Sequence, residues 1–163
     1  MNLPAAWQGR VKIPVIAAPM FLVSNPSLVA ACCKAGVVGT FPALNQRTTE
    51  GFVQWLETLK ATLTPQDAPY GVNLIVHKSN PRLMADLEQV VKYQVPLVIT
   101  SLGAVAEVVD AVHSYGGLVF HDVVNARHAE KAAKAGVDGL IPVSAGAGGH
   151  AGTINPFALV PEI

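Results

Sequence analysis

The stretch GLIPVSAGAGGHAGT (139–153) decides the fold. An apolar run, Gly139 to Ser144, passes directly into small residues, and His150 stands alone among them. An apolar strand, a small or polar turn and an amphipathic helix recur along the chain, and this run is the sixth such strand. Two architectures fit that alternation, an open doubly wound sheet and a (β/α)8 barrel. An open nucleotide-binding sheet places its glycine fingerprint after the first strand. Here the first strand ends in Ala18-Pro19-Met20, with no glycine, and the glycine-rich loop follows the sixth. Polar residues also stand at the ends of several strands rather than one. The expected fold is therefore α/β, of the (β/α)8 TIM-barrel type, truncated to about six βα units, with residues 1–163 forming one domain.

The predicted strands are 15–20, 37–41, 70–76, 97–100, 118–124 and 139–144. They are nearly continuous apolar runs, as expected when helices cover a parallel sheet. The helical stretches between them are NPSLVAACCKAG (25–36), TEGFVQWLETLKATL (49–63), NPRLMADLEQVVKY (80–93), VAEVVDAVHSY (105–115) and ARHAEKAAKAG (126–136). Ser24-Asn25-Pro26 and Ser79-Asn80-Pro81 each offer a cap followed by proline at the first helical position. CKAGVVG (33–39) and AKAGVDG (133–139) end two helices alike, with lysine in the last turn and a glycine for the left-handed stop.

At 163 residues the chain is long enough to bury a core of its own. Charged residues make up only 13%, against about a quarter in ordinary soluble domains. Such a chain buries an unusual fraction of itself or keeps an apolar face for a partner. The formal net charge is zero, which gives no electrostatic reason to expect nucleic acid or an anionic membrane as partner. The longest apolar run, Val15 to Cys33, is broken by Pro19 and Pro26 and carries Ser24 and Asn25, so it is neither a membrane helix nor a signal peptide. Cys32 and Cys33 are the only cysteines. Adjacent helical residues point about 100° apart and do not bridge easily, which predicts two buried, reduced thiols and a cytoplasmic protein.

In a barrel the carboxyl ends of the strands form one rim, and chemistry sits there. The rim predicted here holds Ala18, Pro19, Met20, Pro42, Asn45, Asn73, Ser101, His121, Asp122, Ser144 and the 145–152 loop. No sequence spacing demands a metal, although His121, Asp122 and His150 are the residues that would have to meet for one. No G-x-S-x-G elbow and no Walker loop is present. What the loop offers is backbone: N–H groups without side chains that approach a flat ligand or a phosphate closely. His150 then projects from a low-bulk wall with an ordinary pKa near 6.5, suited to proton transfer at neutral pH. The remaining histidines, His77, His113 and His128, read as helix-end or surface residues.

The set AAPM (17–20), GVN (71–73), ITSLG (99–103) and AGAGGHAG (145–152) resembles the nitronate monooxygenase family, formerly the 2-nitropropane dioxygenases. These are FMN-dependent TIM-barrel flavoproteins, related to flavin enoyl-acyl-carrier-protein reductases. The resemblance implies that Ala18, Pro19 and Met20 line the flavin and that Asn73 hydrogen-bonds it. It also implies that Asp122, at the strand-five end where some members carry a lysine, is a cofactor-binding residue and that Gly148 and Gly149 bring backbone close to the flavin. His150 matches the histidine that binds the nitro compound and acts as catalytic base. The implied reaction oxidises an alkyl nitronate, or a nitroalkane after proton loss, with FMN and O2 to a carbonyl compound and nitrite.

Members of that family continue for two further βα units that supply the phosphate grip, so a fragment or truncated product is expected. Its first and sixth strands would present unpaired edges, to be closed by a second copy or a complementing chain. Two alternatives stay open: enoyl reduction on the same flavin scaffold, and a noncatalytic partial barrel serving as an assembly module.

Overall fold

The computed structural model describes residues 3–103, 106–149 and 151–163. Six strands, β1 (Ile16–Ala17), β2 (Val38–Pro42), β3 (Tyr70–Ile75), β4 (Leu97–Ser101), β5 (Leu118–Val123) and β6 (Gly139–Pro142), form one parallel sheet in chain order. Between and after them run α1 (Pro26–Ala35), α2 (Thr49–Thr62), α3 (Leu83–Lys92), α4 (Ala106–His113), α5 (Ala126–Lys134) and α6 (Pro156–Glu162). Consecutive strands pairing in parallel through helical crossovers make a barrel wall, here six strands of it. The expected order of strands and helices holds throughout.

The pleat sorts each strand into two faces. Val72, Leu74, Val98 and Val119 turn outward and are buried with Leu56, Leu87, Val90, Val108 and Val112 from the helices. Leu97, Ile99 and Phe120 turn inward, and Trp7 of the N-terminal segment packs against Phe120 in a tilted arrangement with ring centroids 5.7 Å apart. The inward face is therefore packed, as barrel interiors are. Two glycines make close packing possible. A Cβ on Gly39 would lie 2.5 Å from the Val29 carbonyl oxygen, so α1 sits against β2 only because that atom is missing. Gly71 similarly lets Leu97 and Thr40 close over the interior.

Several local expectations hold for the reasons that prompted them. Asn25 caps α1 by accepting from Leu28 N, with Pro26 at the first helical position. Gly36 and Gly136 both adopt φ of 87° at the two matched helix ends. The start of α3 differs. Asn80 donates to the Ile75 carbonyl and accepts from Arg82 N, which makes a turn instead of a cap, and the helix begins only at Leu83. β1 is shorter than expected, two residues in place of six. Pro19 has no N–H for a ladder, and the Thr40 hydroxyl donates to the Ala17 carbonyl at 2.5 Å beside it. Of the two free thiols, Cys33 is fully buried and Cys32 only half-buried. Burial pushes the Cys33 pKa up to about 11, so it is an inert, protonated thiol.

Candidate flavin site at the strand ends

The inward face turns polar where the strands end. Asn73 on β3 points into the interior and donates from Nδ2 both to the Ile99 carbonyl at 3.1 Å and to Ser101 Oγ at 2.8 Å. Ser101, the last residue of β4, donates in turn to Asp122 Oδ2 at 2.5 Å. Register places these three side by side: Asn73 pairs with Ile99, Ile75 with Ser101, and Thr100 with His121 one residue before Asp122. Burial holds the Asp122 carboxyl above its ordinary pKa, while the Ser101 hydrogen bond and neighbouring His121 pull it partly back.

His121 and Asp122 part company. Both stand at the end of β5 in the sequence, where either is a candidate for ligand contact. Successive side chains of a strand point to opposite faces, so only Asp122 joins the interior row. His121 is 5% exposed beneath the helices, with Nδ1 2.7 Å from Thr100 Oγ1. Desolvation lowers its pKa, opposed by Asp122 and Thr100 and reinforced by His128 and Lys131 of α5. It is a structural histidine, held neutral. Asn45 also proves structural. It accepts from Leu22 N and donates to the Met20 and Ser24 carbonyls, stapling the β1–α1 loop that carries Ala18, Pro19 and Met20. In that loop Ala18 and Met20 are exposed and Pro19 is half-buried.

This separation has a pH consequence. The folded chain binds a proton at His121 more weakly than the unfolded chain does, so stability present above the ordinary pKa near 6.5 is lost as pH falls through the lower folded value. Asp122 works the other way, since its raised pKa relieves a burial cost on acidification. The urea midpoint is expected to drop between about pH 7.5 and about pH 5.5, and His121→Gln is expected to flatten that drop. Equal slopes in the two proteins would assign the pH dependence elsewhere.

The glycine loop leaves the end of β6 beside Asp122, whose strand pairs Asp122 with Ile141 and Val123 with Pro142. Its neck is pinned: Ala145 N donates to the Ile154 carbonyl at 2.8 Å, and a Cβ on Gly152 would collide with the Val143 carbonyl. Its tip is open. Gly146 and Gly149 adopt φ of 87° and 71°, and a Cβ at Gly146, Gly148 or Gly149 would meet nothing within 4 Å. The expected catalytic residue, His150, lies outside the described residues. Open backbone, a packed floor and an oriented amide are a chemically suitable seat for a planar heterocycle, so the residues present fit a flavin. Among the described residues, no group of three His, Cys, Asp or Glu side chains is placed to hold a metal ion.

The sequence placed Asn73, Ser101 and Asp122 on the rim but not the hydrogen bonds through which Ser101 joins the other two. Ser101 lies within the ITSLG motif, and only strand register shows what it does.

No family model matches the chain. It is 29% identical over 154 residues to (3aS,4S,5R,7aS)-5-hydroxy-7a-methyl-1-oxo-octahydro-1H-indene-4-carboxyl-CoA dehydrogenase of Rhodococcus jostii (strain RHA1), over 94% of this chain and 42% of that protein. It is 28% identical to the nitronate monooxygenase of Neurospora crassa, over 97% of this chain and 50% of that protein. The chain thus spans about half the length of the curated relatives it matches. FabK from Thermotoga maritima superposes with a TM-score of 0.82 at 24% identity, over 92% of this chain and 46% of that one. Nitroalkane oxidase from Streptomyces ansochromogenes gives 0.80 at 24%, over 93% and 52%. The chain is a homologue of nitronate monooxygenase, and its six strands carry the TIM-barrel fold that it shares with FabK and nitroalkane oxidase.

Proposed function

We propose that this chain is the flavin-seating part of an FMN-dependent oxidoreductase that oxidises alkyl nitronates, or nitroalkanes after proton loss, with O2. The products are a carbonyl compound and nitrite. The observation that carries the reading is one juxtaposition. The interior row Asn73, Ser101 and Asp122 ends directly beside a pinned loop whose tip glycines leave open space. FMN, when bound, supplies the two-electron acceptor that nitronate oxidation requires. Ala18, Pro19 and Met20 wall one side of the seat, Asn73 hydrogen-bonds the ring, and Gly148 and Gly149 admit it closely. Asp122 stands behind that contact. His150 takes the proton from the carbon bearing the nitro group.

Enoyl thioester reduction on the same seat is the second reading, and an exposed apolar rim favours it. Phe21 is 69% exposed, Leu22 72% and Leu102 59%, and both leucines are held at positive φ, near 61° and 64°. A rim of that kind would suit the apolar part of an acyl substrate, and one relative acts on a CoA ester by its name. A noncatalytic assembly module would bind no flavin at all.

The deciding experiment is an absorption spectrum of the chain after FMN is added and the excess removed. Retained flavin bands, followed by nitrite release from a nitronate, support the first reading. Bleaching by NAD(P)H with turnover of an enoyl thioester supports the second. A colourless protein overturns both.

A further inference from the structure

Asn73 makes its two interior hydrogen bonds with one nitrogen. The Ile99 carbonyl can only accept, so the amide group facing it at 3.1 Å must be Nδ2. Ser101 Oγ gives its own proton to Asp122 Oδ2, and so it meets the same Nδ2 as an acceptor. Both amide hydrogens are then spent inside the wall. The amide oxygen of Asn73 accepts from no group among the described residues, and it is not among their buried unpartnered polar atoms. An amide free to flip would offer a donor or an acceptor. This one offers an acceptor only.

We propose that Ser101 and Asp122 are positioning residues that lock the Asn73 amide with its oxygen toward the barrel mouth, so that the seat selects a ring N–H on the bound group. The inference rests on the flavin reading and sharpens it. Asp122 acts through Ser101 and not by touching the cofactor. Oxidised isoalloxazine carries a single ring N–H, that of its imide, and an acceptor-only amide is complementary to that edge and to no other. An acceptor-only edge of the ring would be left facing the amide oxygen with no proton between them, a mismatch that costs more than a missing hydrogen bond gains.

The test uses the full chain labelled with nitrogen-15, first without ligand. Both Asn73 side-chain amide protons, assigned by their loss in Asn73→Asp, are expected to exchange slowly. Ser101→Ala should free one of them, Asp122→Ala should do the same, and Asp122→Asn, which still accepts from Ser101, should keep both protected. With FMN as probe, Ser101→Ala and Asp122→Ala should each weaken binding by about threefold to tenfold, the loss of one oriented hydrogen bond. The wild-type chain should prefer FMN over its 3-methyl analogue, and that preference should shrink toward one in Ser101→Ala.

Unchanged Asn73 amide signals in Ser101→Ala would overturn the relay, even if FMN binding weakened, because the hydroxyl would then be touching flavin directly. Equal binding of FMN and 3-methyl-FMN by the wild-type chain would overturn the selection for a ring N–H. Failure of the wild-type chain to bind FMN, with the amide signals behaving as expected, would overturn the flavin reading and leave the relay standing.

Discussion

Asp86→Ala is expected to remove about 3 kcal/mol of stability, the lower end of the range for breaking a buried ion pair from one side. Asp86 is fully buried on α3 and takes both Arg82 Nη2 contacts, at 3.0 and 2.9 Å, together with the Thr49 hydroxyl at 2.7 Å. Arg82 also donates from Nη1 to the Gln46 carbonyl at 2.6 Å. The carboxylate thus ties the start of α3 to the start of α2, and the guanidinium it holds ties both to the turn after β2. Without it the guanidinium loses its counter-charge in a place where Nε already has no partner. The Arg82 side chain keeps 19% of its exposure, so water recovers part of the loss. Domains of this size have roughly 5–15 kcal/mol in total, and 3 is a large share. Asp86→Asn retains an acceptor for Thr49 and should cost clearly less. Urea unfolding of the three proteins measures both differences, and a loss below about 1 kcal/mol would mean that the pair behaves as a solvated surface bridge.

How far the sequence discloses such features depends on whether their physics is local. The Asn25-Pro26 start and the Gly36 and Gly136 stops follow from backbone rules that act within one turn, and all three stand where expected. Strand order follows from the regular βα alternation and the continuous apolar runs. Asn80 carries the same local signal as Asn25, but the Ile75 carbonyl lies within its reach and claims the side chain. Arg82 and Asp86 have helical spacing, four apart, which marks a pair. Nothing in that spacing tells that α2 would bury it.

The candidate site divides in the same way. Its glycines were legible because absent side chains are visible in sequence, whereas the Asn73, Ser101 and Asp122 row joins residues 28 and 21 positions apart through strand register. His121 and Asp122 look equivalent on paper. One residue of pleat sends the first under the helices and the second into the barrel.

His150→Ala, in the enzyme that carries this chain and a bound flavin, is expected to lower turnover of a neutral nitroalkane by about 10²- to 10⁴-fold, the usual contribution of a positioned general base. The same substitution should cost much less with the preformed nitronate anion. The reason is proton accounting. A nitroalkane must lose a carbon-bound proton before it can be oxidised, and an imidazole with a pKa near neutrality suits that task. The nitronate has already lost it, and only contacts to the nitro oxygens remain to be supplied. Flavin absorbance should survive, because the neck of the loop is held by the Ala145 to Ile154 hydrogen bond and by the close approach at Gly152, neither of which involves residue 150. Rates with both substrates, measured across the pH range, read the result. Equal losses on the two would make His150 a binding group for the nitro function and not a base. No loss on either would place the proton acceptor on another element of the rim. With an enoyl thioester, whose reduction begins with no such deprotonation, the contrast between neutral and anionic substrate has no counterpart, so the same variant separates the two readings of the seat.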